Sequence, residues 1–172
     1  QSVCSDNPNG GKPEVSESSL LAVDDFLFAI AVPERRIKNQ TTFDKGRALF
    51  HEVGCQSCHR PSLTTATSEK YPHLSGQTFY PYTDLLLHDM GEDLSDGAKE
   101  EGALPSEWRT PPLWGLGLME DDGQSRFLHD GRAKTLEDAI LWHGGEAKLA
   151  RQNVEALSAA DRDALLAFLR AI

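Results

Sequence analysis

The stretch that decides the fold is Cys55-Gln56-Ser57-Cys58-His59, a C-x-x-C-H pentapeptide. In this pattern the two cysteines form thioether bonds to the vinyl groups of a haem, and the histidine that follows them ligates the iron. The two-residue spacing places the sulfurs one turn apart, and an imidazole at the next position reaches the metal while both bonds are kept. We therefore expect one covalently bound haem c, held by Cys55, Cys58 and His59.

Two other kinds of site also use paired cysteines. A redox C-x-x-C belongs in a thioredoxin-like βαβ context, and no alternating strand runs surround this motif. A structural zinc site needs a second pair of ligands at similar spacing, and Cys4, the remaining cysteine, is isolated in the sequence. Covalent haem is the interpretation that we favour, with zinc and dithiol sites as its alternatives.

The segments around the motif predict the helices that a cytochrome c-like domain requires. Residues 42–50 predict a helix just before the motif, with Thr42 as its N-cap. Ser158 begins a capping-box-like sequence that opens a terminal helix. Residues 62–112 are rich in Gly, Pro, Ser and Thr, which is typical of loops. We predict a mainly α fold, a cytochrome c-like domain with long loops around one covalently bound haem.

The chain is predicted to divide near residue 40. Residues 1–40 form an N-terminal extension with one helix and a linker, and residues 41–172 form the haem domain. Residues 22–30 and 164–172 share five of nine amino acids. Two amphipathic helices that use the same few residue types would produce this match. So would the closing helix of an upstream cytochrome-like unit, ended at Pro33, and the chain would then be a piece of a longer protein.

Charge and hydropathy exclude two classes of partner. Seventeen Lys and Arg stand against 27 Asp and Glu, a formal net charge of −10, which repels phosphate backbones and excludes nucleic acid. The longest nearly unbroken apolar run, residues 26–33, is far shorter than the roughly 20 residues that cross a bilayer. The sequence therefore predicts no membrane span.

The second axial ligand of the iron has to come from the remaining histidines and methionines, which are His51, His73, His88, His129, His143, Met90 and Met119. Residues 135–143 predict a short helix with Thr135 as N-cap and two glycines after its end. On this helix His143 lies seven residues after Leu136, on the apolar stripe. We predict that His143 ligates the iron, with Met90, in another apolar stretch, as the alternative.

Taken together, these residues resemble the bacterial di-haem cytochrome c peroxidase superfamily, and most closely its branch of di-haem thiol oxidoreductases. The resemblance runs through residues 46–50, 55–59, 87–91, 108–115, 127–132 and 135–140. Proteins of this superfamily have two cytochrome c domains, of which one binds a peroxide-reactive haem and the C-terminal one binds an electron-transfer haem. This sequence is similar to the C-terminal haem domain.

The resemblance also implies roles for single residues. His143 occupies the position of the family's axial methionine or tyrosine, and imidazole in place of a thioether lowers the reduction potential. Arg109 matches a basic residue of the family and is expected to pair with a haem propionate. His88 and His129 match recurrent histidines, for which hydrogen-bonding roles in the pocket and purely structural roles are both open. Cys4 is expected to pair with an upstream cysteine if the chain is longer.

The expected function is electron transfer by a c-type haem domain of a periplasmic, di-haem peroxidase-like oxidoreductase, with the iron between His59 and His143. Export follows from the resemblance, because haem of this type is attached outside the cytoplasm. The partner would be a redox protein or a second haem domain. The alternative is a haem peroxidase or oxidoreductase that acts at this haem through an open or displaceable sixth position, with His88 or His129 as acid or base. A haem-linked sensor is a third hypothesis, and whether the chain is itself an enzyme stays open here.

Overall fold

The computed structural model describes residues 10–123 and 125–172, so Cys4 and its predicted pairing lie outside the described residues. The chain divides into two compact units, Gln1–Val32 and Pro33–Ile172, which are described separately. Within the described residues there are six α-helices and four strands of two or three residues. The fold is therefore mainly α, as predicted. No helix in this part of the chain has the length and hydropathy that a bilayer crossing requires.

The first unit contains helix α1, Glu17–Ala29. The hydroxyl of Ser16 caps it by accepting a hydrogen bond from the Ser19 amide. The helix buries none of its residues, although it carries several large apolar side chains, and Phe26 is 65% exposed. Within the first unit, the described residues therefore do not cover the apolar side chains of α1.

The second unit is built on two crossing helices, α2 (Gln40–Glu52), which leads into the pentapeptide, and α6 (Ala159–Leu169), which ends the chain. A β-carbon added to Gly46 of α2 would lie 2.1 Å from the Ala164 carbonyl oxygen of α6, so only glycine allows this approach. Both predicted helices are present, and Ser158 caps α6 as predicted. The N-cap prediction for α2 was wrong, since Asn39 caps the helix through its side chain and Thr42 supplies the amide.

An aromatic cluster fills the core between α2 and α6. The ring of Phe50 lies 5.3 Å from that of Phe168 and 5.8 Å from that of Tyr82, measured between centroids. Phe43 also packs on Phe168, at 5.2 Å. Tilted and edge-on aromatic pairs of this kind contribute about 0.5–1.5 kcal/mol each beyond the area that they bury. The cluster therefore fixes the end of α2, from which the pentapeptide follows.

The remaining elements are short. Strand β1 (Leu63–Thr64) pairs antiparallel with β2 (Thr78–Phe79), and β3 (Leu87–Asp89) pairs antiparallel with β4 (Glu107–Arg109). In the second pair His88 lies opposite Trp108. Three helices follow: α3 (Leu116–Asp121), α4 (Leu136–Leu141) and α5 (Lys148–Glu155). A 3-10 turn, Gly145–Ala147, joins α4 to α5 and contacts β3, which brings sequence-distant side chains together near the pentapeptide.

Candidate haem site

The pentapeptide starts at the end of α2, where the backbone changes direction. Gly54 has φ +97°, a left-handed conformation that favours glycine, and the 3-10 turn Cys55–Ser57 follows. The His59 amide donates to the Cys55 carbonyl oxygen at 3.0 Å, and this hydrogen bond closes the turn that contains the two cysteines. Cys55 and Cys58 are unpaired and partly buried. The turn thus holds two free thiols and an imidazole on one short stretch of backbone.

The electrostatics of the two thiols argue against a redox dithiol. Burial raises the pKa of Cys55 to about 12. Burial also raises the pKa of Cys58, and the carboxylates of Asp84 and Glu146 raise it further. Reactive dithiols need the opposite, a pKa lowered by a positive charge or a helix N-terminus. The dithiol alternative is therefore disfavoured by the surroundings of both cysteines.

His59 lies at the edge of the aromatic core, with its ring centroid 6.5 Å from that of Phe50. Its Nδ1 donates to the Tyr82 carbonyl oxygen at 3.0 Å. Tyr82 has φ +53°, so the backbone accepts an uncommon conformation at the residue that orients this imidazole. Burial lowers the pKa of His59 to about 4, which keeps the ring neutral. A neutral ring with its proton on Nδ1 presents Nε2 as a metal ligand.

His143 follows the end of α4, and its surroundings repeat those of His59. Thr135 caps α4 as predicted, by accepting from the Asp138 amide. The His143 Nδ1 donates to the Ala139 carbonyl oxygen at 2.8 Å, and burial lowers the pKa of this histidine too. Its proton is therefore held on Nδ1 by the backbone, and Nε2 has no hydrogen-bond partner among the described residues.

The structure brings His59 and His143 together. Their ring centroids are 6.4 Å apart and their planes are inclined by 44°. A metal held midway between two imidazoles by bonds of about 2 Å would separate the ring centroids by roughly 6 Å. The two histidines that the sequence predicts as ligands are thus separated by the distance that a shared metal would need, and each has its Nδ1 occupied by a backbone carbonyl group. Such hydrogen bonds fix the tautomer and orientation of a ligating histidine.

Comparison with known proteins gives one result. A family model described as "Di-haem oxidoreductase, putative peroxidase" matches residues 5–172. The chain belongs to this di-haem oxidoreductase family. No curated protein and no solved structure matches it. The predicted relationship to di-haem, peroxidase-like proteins is confirmed, and membership implies that haem is bound.

The residues around the pentapeptide fit the haem that this di-haem oxidoreductase family implies. Cys55 and Cys58 are free for thioether bonds, and His59 and His143 offer two neutral nitrogens. Arg151 of α5 supplies a further feature, since its Nε is buried and lacks a hydrogen-bond partner among the described residues. Its charge also lowers the pKa of His143. Glu155 Oε1 lies 3.9 Å from this Nε, an ion-pair distance too long for a hydrogen bond, and the guanidinium also donates to the Leu141 carbonyl oxygen. A buried cationic nitrogen with no hydrogen bond is suited to an acidic group of the cofactor.

The other predicted positions have different surroundings. Arg109 is exposed on β4, and its guanidinium makes no hydrogen bond or ion pair with the described residues. The His129 ring stacks on Trp108 at 3.6 Å, with only 6° between the planes. Met90 is partly buried after β3, and its carbonyl oxygen would lie 2.7 Å from a β-carbon on Gly144. The glycines after His143 therefore allow close backbone packing against the end of β3.

The remaining candidates for the second ligand are at the surface. His51 is exposed on α2, where its Nδ1 bonds to the side chain of Gln56. His73 is exposed in the 3-10 turn Pro72–Leu74. Met119 is exposed on α3. None of these three is near enough to His59 for a ring or hydrogen-bond contact among the described residues.

Sequence reasoning did not find the polar cluster around His88. The His88 Nδ1 lies 2.9 Å from Glu146 Oε2, and its Nε2 lies 2.9 Å from Asp84 Oδ2. One ligand-type atom each of Cys58, Asp84 and His88 lies within 4.8 Å of the others. Such a set can bind a metal, but both nitrogens of His88 already have carboxylate partners, and a thioether at Cys58 would remove its thiolate. His88 therefore has no free nitrogen for a metal, whereas only the Nδ1 atoms of His59 and His143 are occupied by partners among the described residues.

Proposed function

We propose that residues 33–172 form an electron-transfer haem domain of an exported di-haem oxidoreductase. One haem c would be attached through Cys55 and Cys58, and its iron would be ligated by His59 and His143. The observation that supports this proposal best is the pair of neutral imidazoles with ring centroids 6.4 Å apart, each with its Nδ1 held by a backbone carbonyl oxygen. The family match supports haem binding independently of this geometry.

The residues of the chain would keep the iron closed to substrates. The Tyr82 and Ala139 carbonyl oxygens hold the two Nδ1 atoms, so that both Nε2 atoms would be available to ligate the metal. The aromatic core beside His59 excludes water from that side. When bound, haem supplies one-electron cycling between its ferric and ferrous states. With two histidine ligands the domain would transfer electrons, and peroxide chemistry would belong to another haem.

Arg151 and Arg109 are the two candidates for a haem propionate. Arg151 is the better placed of the two, because its buried Nε makes no hydrogen bond within the described chain, has only the 3.9 Å ion pair with Glu155, and carries a charge that acts on His143. Arg109, the prediction from the sequence, is exposed. We therefore assign the propionate contact to Arg151, and the Discussion gives the variants that compare the two arginines.

The electron would be exchanged with a redox protein or with a second haem domain. The family is a di-haem family, and this chain contains one C-x-x-C-H motif. Helix α1 shares its amino-acid pattern with the end of α6, whose Phe168 and Leu169 are buried. In α1 the matching Phe26 and Leu27 are exposed. We propose that α1 is the closing helix of a second cytochrome-like unit.

The test is a spectroscopic one on protein produced in a host that attaches haem in its periplasm. The expected result is haem staining that survives denaturing electrophoresis, with a low-spin ferric spectrum that lacks the methionine-to-iron band and is unchanged by cyanide or peroxide. The double variant Cys55→Ala, Cys58→Ala should lose the covalent stain, and His73→Ala is the matched control that should keep it. A high-spin, ligand-binding spectrum would instead show an enzyme that acts at this haem. A colourless product would contradict haem binding.

A further inference from the structure

His88 is held between two carboxylates. It lies on β3, with Asp84 Oδ2 2.9 Å from its Nε2 and Glu146 Oε2 2.9 Å from its Nδ1. A neutral imidazole has a proton on only one nitrogen, so one of these two contacts would place a lone pair against a carboxylate oxygen. Both contacts are favourable only when a proton lies in each. The triad of Asp84, His88 and Glu146 therefore favours His88 with a proton on each nitrogen, whereas an isolated histidine is mostly neutral at pH 7.

The triad extends from solvent to the interior. The side chain of Glu146 is 56% exposed, that of His88 is 16% exposed and that of Asp84 is 6% exposed. Glu146 is also fixed in place, since its second oxygen accepts from the Asp89 amide at 3.0 Å. A proton can thus enter at Glu146 and remain at His88, beside a carboxylate that water hardly reaches.

The inner end of the triad is next to the haem attachment point. The Cys58 sulfur, which would become a thioether, lies within 4.8 Å of ligand-type atoms of both His88 and Asp84. The charges of Asp84 and His88 also act on the pKa of His59. A change of one unit of charge at the haem would therefore be felt by the triad at short range and in partly buried surroundings.

Few other charged groups face His88. Across the strand pair its neighbour is Trp108, which is uncharged. The flanking residues of β4 are Glu107, whose carboxylate accepts from the Leu104 amide, and Arg109, which is exposed. Asp89, next in the chain, accepts from the Gly91 amide. Among the described residues the direct ionic partners of His88 are thus Asp84 and Glu146.

We infer that Asp84, His88 and Glu146 form a proton-uptake site coupled to the redox state of the haem, an inference that rests on the function proposed above. At pH values where the triad has lost this proton while the haem is ferric, the triad would take up as much as one proton from solvent for each electron that a redox partner delivers to the haem. The electron adds one negative charge at the iron and the proton adds one positive charge at His88, so the total charge of the domain is unchanged. The coupling limits the cost of adding charge inside a partly buried site.

The sign of the pH dependence follows from this balance. Hydrogen bonds to Glu146 and Asp84 raise the pKa of His88 above its ordinary value, so the coupling operates above about pH 6.5. In this range ferrous haem favours the protonated triad, and raising the pH favours ferric haem. The ferrous-to-ferric ratio at a fixed applied potential should fall towards tenfold per pH unit, which for one electron corresponds to about 59 mV.

The experiment is a redox titration of the haem-loaded full chain between pH 5 and pH 9, with the visible spectrum recorded at each point. The wild type should show the fall described above, and His88→Gln should lose most of it. His73→Gln, which removes an exposed imidazole away from the triad, is the matched control and should behave like the wild type. An equal pH dependence in wild type and His88→Gln, or none in the wild type, would overturn the inference.

A second variant keeps the test decisive if His88→Gln does not fold. Glu146→Gln changes an exposed carboxylate and should move the pH-dependent range downward, because the imidazolium loses one of its two anionic partners. Glu69→Gln, at another exposed glutamate, should not move it. If Glu146→Gln and Glu69→Gln give the same curve, the inference is wrong. The spectra separate this outcome from failure of the proposed function, which would appear as high-spin haem or as no haem at every pH.

Discussion

Two kinds of histidine site lie next to each other in space at the pentapeptide, and their surroundings favour opposite protonation states of the same side chain. His59 and His143 each donate Nδ1 to a backbone carbonyl oxygen in apolar surroundings, and burial lowers the pKa of both. His88 has a carboxylate at each nitrogen, and its pKa is raised. The first environment favours a neutral metal ligand and the second favours the imidazolium. The partners of the two nitrogens, together with burial, decide which role a histidine can take.

The largest effect is expected from removing one of the two neutral histidines that would ligate the iron. His143→Ala should convert the haem from low-spin to high-spin or water-ligated iron, because one of the two Nε2 ligands is lost. His88→Ala should leave the haem low-spin, since both nitrogens of His88 belong to carboxylates. Visible and electron paramagnetic resonance spectra measure the spin state. An unchanged spectrum in His143→Ala would move the ligand role to another residue, with Met90 first.

A large loss of stability is expected from a substitution in the aromatic core beside His59. Phe168 is fully buried and packs on Phe50, the ring next to His59. Phe168→Ala should lower the free energy of unfolding by about 3–5 kcal/mol, through lost apolar transfer and the cavity left behind. Phe26→Ala, at the matching position of the exposed helix α1, should cost less than about 0.5 kcal/mol. Urea unfolding of the haem-loaded chain, followed by fluorescence, measures both, and equal losses would show that α1 is packed as tightly as α6.

What the sequence could predict is local. The pentapeptide, the caps at Thr135 and Ser158 and the helical spacing that places His143 on an apolar stripe all depend on residues within about two turns of one another. The sequence predicts the first residue of a helix less reliably than the presence of the helix. Asn39 and Thr42 are both good caps, and the structure uses the earlier one.

What the sequence could not predict depends on contacts between distant segments. His88 and Glu146 are 58 positions apart, and they meet because the turn after α4 packs against β3. Asp84 lies four residues before His88, and Glu146 follows two glycines. Neither position indicates that both carboxylates bond to the same imidazole. The same holds for Arg151, whose importance lies in a buried nitrogen without a hydrogen bond in the described part of the chain, a situation that depends on the packing of α5.

A smaller, pH-dependent effect is expected from the polar side of the comparison. His88→Gln should lower the free energy of unfolding by about 1 kcal/mol at pH 5, the order of one charge-assisted hydrogen bond to the buried Asp84 after solvent screening. The pKa of His88 is raised in the folded chain, so its stabilisation is complete below the unfolded value of about 6.5 and disappears as the pH rises through the folded value. Urea unfolding at pH 5 and pH 9 should therefore show a smaller difference between variant and wild type at pH 9. A larger difference at pH 9 would mean that His88 is neutral in the folded chain.

The smallest effect is expected from the two arginines. Their comparison shows whether Arg151, whose charge acts on His143, also binds a propionate. Arg151→Gln removes a cation beside His143 and should lower the reduction potential by about 20–40 mV, because about 0.5–1 kcal/mol of charge stabilisation then no longer favours the ferrous state. Arg109→Gln, at an exposed position on β4, should leave the potential unchanged within a few millivolts. Both are measured by redox titration at one pH and one salt concentration, because screening alters exposed charges more than buried ones. If the two variants exchange these results, the propionate belongs to Arg109, and Arg151 Nε serves only its ion pair with Glu155.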